Sequence, residues 1–99
     1  MVKHIVLFRL REDMDAHEKT VVMEHFKHDI EALPGLIPSI RRIEVGMNVN
    51  VNEAYDLALY SEFDTLEDVV GYGSNPHHVA VASALKPYVA HRSCCDYEA

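Results

Sequence analysis

Over the first ten residues apolar positions face both ways. Val2, Val6, Phe8 and Leu10 fall on one side and Ile5 and Leu7 on the other, so Val2 to Leu10 is expected to be a strand that needs cover on both faces. The period then changes. Val22, Phe26, Ile30 and Leu33 recur at helical spacing behind Asp15, which has Glu18 three residues later as in a capping box. An amphipathic helix is therefore expected over about Asp15 to Leu33, ended by Pro34-Gly35. A second strand follows over about Ile40 to Asn48, and the polar, asparagine-rich stretch Asn48 to Glu53 reads as a turn. The third strand is expected over about Tyr55 to Phe63, with Tyr55, Leu57, Leu59 and Phe63 on one face and Ala58 and Tyr60 on the other.

Asp64 or Thr65 can cap a short helix containing Leu66, Val69 and Val70, which Gly71 to Ser74 is expected to end. Asn75-Pro76 opens another helix, since asparagine caps free N–H groups and proline suits the first helical position. This helix runs to about Leu85, before Pro87. The last strand, about Tyr88 to Tyr97, alternates Val89, His91, Ser93, Cys95 and Tyr97 with Tyr88, Ala90, Arg92, Cys94 and Asp96. Strand, helix, strand, strand, helix, strand is the order of the α+β ferredoxin-like split βαβ fold, a four-stranded antiparallel sheet with helices on one face. The other face would be bare. Its apolar residues predict that a second copy covers it, giving a homodimer through facing sheets.

Ninety-nine residues make one domain, taken as residues 1–99, with no internal linker. A formal net charge of -7, with no basic run longer than Arg41-Arg42, argues against nucleic acid and anionic membrane as partners. The apolar run Ile5 to Phe8 is too short for a signal segment or a membrane span. Cys94 and Cys95 are adjacent, and successive strand side chains point to opposite faces, so they do not readily bridge. Reduced thiols in a cytoplasmic protein are the simplest reading.

Chemistry concentrates between Tyr72 and His78. His78 shares a helical face with Val81, Ala82 and Leu85, which puts an ionisable ring among residues that should be buried. An imidazole with a pKa near its ordinary value of about 6.5 suits proton transfer, and a tyrosine hydroxyl can donate to a developing oxyanion. Asp96 can hold the second nitrogen of such a histidine. Each residue also has a plain structural reading. His78 can simply bond a backbone carbonyl, Tyr72 can be a core residue, His4 a satisfied core histidine, and Asp96 the partner of Arg92. His17, His25 and His28 fall on the solvent side of the first helix with no carboxylate to complete a site, and no metal is expected.

The opening Met1-Val2-Lys3-His4-Ile5-Val6-Leu7-Phe8-Arg9-Leu10 resembles the start of the stress-responsive dimeric α/β-barrel domain (Dabb) family. Glu44-Val45-Gly46, Tyr55-Asp56-Leu57, Glu62-Phe63, Tyr72 with Asn75-Pro76-His77-His78-Val79, and Asp96-Tyr97 continue the likeness in family order. The resemblance implies a ferredoxin-like chain paired into a dimeric α/β barrel. Many members have no assigned reaction, and some are known only as stress-induced proteins. One that is understood is a plant polyketide cyclase, which closes a linear polyketide by an intramolecular aldol condensation without a cofactor. Carried over from it, the acid/base pair falls on Tyr72 and His78, and a first-strand histidine on His4. Leu57 stands where the cyclase has a further cavity histidine, a departure at a substrate-binding position. The resemblance thus implies a small-molecule-binding homodimer with no cofactor and with cyclase-like or lyase-type chemistry. The rivals are a non-enzymatic stress or accessory protein with an incidental pocket and, more remotely, a monooxygenase on a similar barrel.

Overall fold

In the computed structural model, which describes residues Met1–Ala99, the first strand, β1 (Val2–Leu10), is central in a four-stranded sheet. With β2 (Arg42–Met47), β3 (Leu57–Phe63) and β4 (Val89–Glu98) it forms the order β2-β3-β1-β4, every neighbour antiparallel. The register sets His4 between Ser61 on β3 and Asp96 on β4.

Three helices cover one face. Helix α1 (Ala16–Glu31) is capped by Asp15, whose side chain accepts from the Glu18 N–H. Phe26 and Ile30 are its buried residues, and full burial of each such side chain contributes ~1.5–3 kcal/mol. Leu33 leaves the α-helix for a short 3-10 turn, Leu33–Gly35, but stays buried. Thr65, not Asp64, caps α2 (Leu66–Ser74), because Asp64 is drawn into an ion pair with Arg41. Asn75 accepts from the His77 N–H and, with Pro76, starts α3 (Pro76–Leu85).

Helix α2 departs from expectation: it continues through Gly71 and Gly73 to Ser74. Two glycines in a helix cost about 2 kcal/mol. Burying an aromatic side chain of ~150 Å² returns ~4 kcal/mol, and the extra turn puts Tyr72 three residues beyond Val69, both on the buried side. Burial of the ring offsets the propensity cost here.

The sheet has two unlike faces. Val2, Val6, Leu10, Val45, Leu57, Leu59 and Phe63 point to the helices and form the core with Phe26, Ile30 and Leu33. Opposite, Ile5 sits between Tyr60 and Cys95, and Leu7 between Ala58 and Ser93. No helix covers these residues. Helix α1 lies over β2, whereas α3 packs mainly on α1 and α2 and only lightly on the sheet. As a result the inward side of β4 is left open, and Arg92, Cys94 and Asp96 stay exposed.

Candidate functional site

The space between α3 and the β1–β4 half of the sheet is a cavity of about 380 Å³, within the ~300–1,000 Å³ range of small-molecule pockets. Val6, Phe8 and Leu59 form its floor, Phe26 one wall, and Val79, Ala82 and Leu85 its roof. Among these apolar surfaces come three polar rings, His4, Tyr72 and His78, with Lys86 and Arg92 also on the lining.

Tyr72 is at the centre of this group. Its ring lies 4.3 Å from that of His78, 6.0 Å from that of His4 and 5.2 Å from that of Phe63, centroid to centroid. The residue is only 2% exposed, and its hydroxyl has no hydrogen-bond partner in the protein. A buried hydroxyl without a partner is uncommon and costly. Burial also drives its pKa well above the ordinary value of 10, so it stays a protonated donor through neutral pH.

His78 is held by the junction between two helices. It lies in the first turn of α3, and its Nδ1 is 3.1 Å from the Gly73 carbonyl in the last turn of α2. Donation from Nδ1–H to that oxygen leaves the Nε2 lone pair free. Burial lowers the His78 pKa below 6.5; the Gly73 contact opposes this, and the charge on Arg92 adds to the lowering. At neutral pH the ring is therefore uncharged, with a vacant acceptor.

His4 has the carboxylate. Its Nδ1 is hydrogen-bonded to Asp96, directly across the β1–β4 ladder, and Ser61 Oγ donates to its backbone carbonyl at 3.3 Å. The expected Asp96–His78 contact is not formed, because register puts Asp96 opposite His4 while His78 is engaged with Gly73. Nor does Asp96 pair with Arg92. Leu57 is buried but does not line the cavity; Leu59, two residues further along β3, does. Thus Tyr72, His78 and His4 come together, Asp96 joins through His4, and Leu57 stays apart.

Cys94 Sγ lies 3.7 Å from His4 Nδ1, and burial, then the Asp96 charge, raises its pKa. His4, Cys94 and Asp96 offer ligand-type atoms within 4.8 Å of one another, but the His4 nitrogen and the Asp96 oxygen face each other as a hydrogen-bonded pair. Spacing and residue type alone do not mark Lys86 or Arg92 as site residues. The alternation of β4 does put Arg92 on the inward face with Asp96, but only the packing of α3 over that face makes it part of a cavity wall.

Fold and cavity define a ferredoxin-like α+β domain with a small-molecule-sized site between sheet and helices. The chain belongs to the stress-responsive A/B barrel domain family, which matches residues 2–99. A search of curated proteins finds no match by sequence. Among solved structures, it is similar to a dimeric protein of unknown function with a ferredoxin-like fold from Bacteroides fragilis. The two are 54% identical, with 99% of this chain and 95% of that chain covered and a TM-score of 0.97. The hydroxynitrile lyase of Passiflora edulis is 16% identical over 97% of this chain and 90% of its own, with a TM-score of 0.73. A putative antibiotic biosynthesis monooxygenase from Nitrosomonas europaea is also 16% identical, over 100% and 98%, with a TM-score of 0.79. At that identity the last two share the fold alone. No helix is long and apolar enough to cross a membrane.

Proposed function

We propose that the protein binds a small carbonyl compound in this cavity and performs cofactor-independent proton-transfer chemistry, of the kind needed for an intramolecular aldol closure or a lyase-type cleavage. The observation that carries the reading is the Tyr72 hydroxyl, buried and without a protein partner beside the His78 ring. Tyr72 is among the residues that line the apolar cavity, and an unpaired donor on such a residue suits an oxygen that a ligand supplies.

In this reading His78 Nε2 takes the proton from carbon next to a carbonyl, and the electron pair moves onto the carbonyl oxygen. Tyr72 donates a hydrogen bond to that oxygen without losing its proton. The enolate carbon then attacks a second carbonyl in the same molecule, forming the carbon–carbon bond. The new alkoxide takes the proton back from His78, so atoms and charges balance with no outside reactant. His4, steadied by Asp96, is a polar wall of the same site and a second donor or acceptor for the ligand. A non-enzymatic protein with an incidental pocket has no use for an unpaired buried hydroxyl, which is why the catalytic reading is preferred.

The relative from Bacteroides fragilis is described as dimeric, and the half-exposed Ile5, Leu7 and Tyr60 on the uncovered sheet face support the same for this chain, sheet against sheet. Free Cys94 and Cys95 fit a cytoplasmic setting. The catalytic proposal is tested without knowing the natural substrate. A simple ketone such as benzylacetone is incubated with the protein in D2O, and loss of its α-proton signal is followed by NMR. The protein should accelerate exchange and His78→Ala should remove the acceleration; equal rates with and without the His78 ring would sink the proposal.

A further inference from the structure

The charges around the cavity run against those of the chain. The protein has 16 acidic and 9 basic side chains, yet no aspartate or glutamate lines the cavity, while Lys86 and Arg92 do. Most other cations are engaged. Arg9, Arg11, Lys27, Arg41 and Arg42 each form an ion pair with a carboxylate, and Lys3 lies over the Tyr60 ring. Lys86 and Arg92 have no carboxylate partner. They come from separate segments, Lys86 from the turn after α3 and Arg92 from β4, and both line the cavity. Asp96, on the same face of β4 and available in principle to neutralise Arg92, is engaged by His4 instead.

In so acidic a chain, leaving two cations unpaired on one apolar cavity favours an anionic ligand. The guanidinium fork matches a carboxylate in shape and charge, and an ammonium on the same cavity lining adds a second positive charge. We propose that the ligand is an apolar monocarboxylate, its carboxylate held by Arg92 and Lys86 at the exposed rim and its hydrocarbon body among Phe8, Phe26 and Leu59. This rests on the proposed function only for the site used and deepens it by naming the substrate class. A keto acid, with its carboxylate on the cations and its reacting carbonyl near Tyr72 and His78, uses both sets of polar groups on the cavity lining.

The test compares octanoate with octanamide, nearly equal in size but different in charge, by isothermal titration calorimetry on the intact protein at neutral pH and low salt. Octanoate should bind about tenfold more tightly, the factor expected for charge-assisted hydrogen bonds at a partly exposed site. Added salt should narrow the gap. The double variant Arg92→Gln with Lys86→Gln should weaken octanoate to the level of octanamide while leaving octanamide unchanged. Both positions are exposed, so the melting temperature should hold, and a melt on the same sample checks it.

Equal affinity for the two ligands, no effect of the double variant, or no octanoate binding at millimolar concentration would each overturn the proposal. The two readings fail separately. Carboxylate preference without α-proton exchange removes the catalytic reading and keeps this one, while exchange without carboxylate preference does the reverse.

Discussion

Replacing Tyr72 by phenylalanine removes one oxygen atom and leaves the ring that packs between Phe63 and His78. In most proteins a buried tyrosine loses a hydrogen bond on this change and stability falls. Here the hydroxyl has no protein partner to lose. A buried polar group without a partner costs ~1–3 kcal/mol, so Tyr72→Phe should leave stability unchanged or raise it by about 1 kcal/mol, equivalent to ~4–8 °C in a domain of this size. The same substitution takes away the proposed oxyanion donor, and loss of one such donor slows turnover ~10²–10³-fold. The assay pairs thermal and urea melts with α-proton exchange of a bound ketone. A stabilised or unaltered fold with lost exchange is the expected outcome. Destabilisation by more than about 1 kcal/mol would show that the hydroxyl is engaged within the native protein, and the argument from its isolation would collapse.

The remaining expectations concern pH, the His4 pair and assembly. His78 resists protonation when folded, whereas the unfolded chain takes up a proton near pH 6.5; stability should therefore fall as pH drops through and below that value, as read by urea midpoints, and His78→Gln should flatten the dependence. Tyr72 has the opposite sense: its folded pKa is raised above 10, so stability should be full below pH 10 and fall as pH rises further, a loss that Tyr72→Phe should reduce. Asp96→Ala leaves the His4 Nδ1 without its partner and should cost ~1–3 kcal/mol by chemical denaturation, whereas Asp96→Asn should cost less. Leu7→Lys puts a charge on the uncovered sheet face and should shift a dimer to monomer in sedimentation; a wild-type chain that is monomeric at micromolar concentration would end the facing-sheet proposal.

What could be read from the chain alone was what short-range rules govern. Alternation in Val2–Leu10 and Tyr55–Phe63, the helical spacing of Phe26 and Ile30, the Asp15 cap and the Asn75-Pro76 start depend on neighbours within a turn or a pleat, and the fold order follows from them. The same rules brought out His78, because an ionisable ring in an apolar stripe is visible without coordinates, whereas the pairing with Tyr72 comes from the family resemblance. Gly71 was where they misled, since helix-breaking propensity is local and the burial of Tyr72 that overrides it is not.

Tertiary packing decided the rest. Which carboxylate meets which histidine depends on strand register across 92 residues of sequence separation, and this assigns Asp96 to His4. The cavity lies between α3, which rests mainly on α1 and α2, and the β1–β4 half of the sheet, a matter of three-body packing that no single helix face encodes. The unpaired state of the Tyr72 hydroxyl and of the rim cations is likewise a property of everything that surrounds them. A residue's type is local, but its lack of a partner is set by the whole fold.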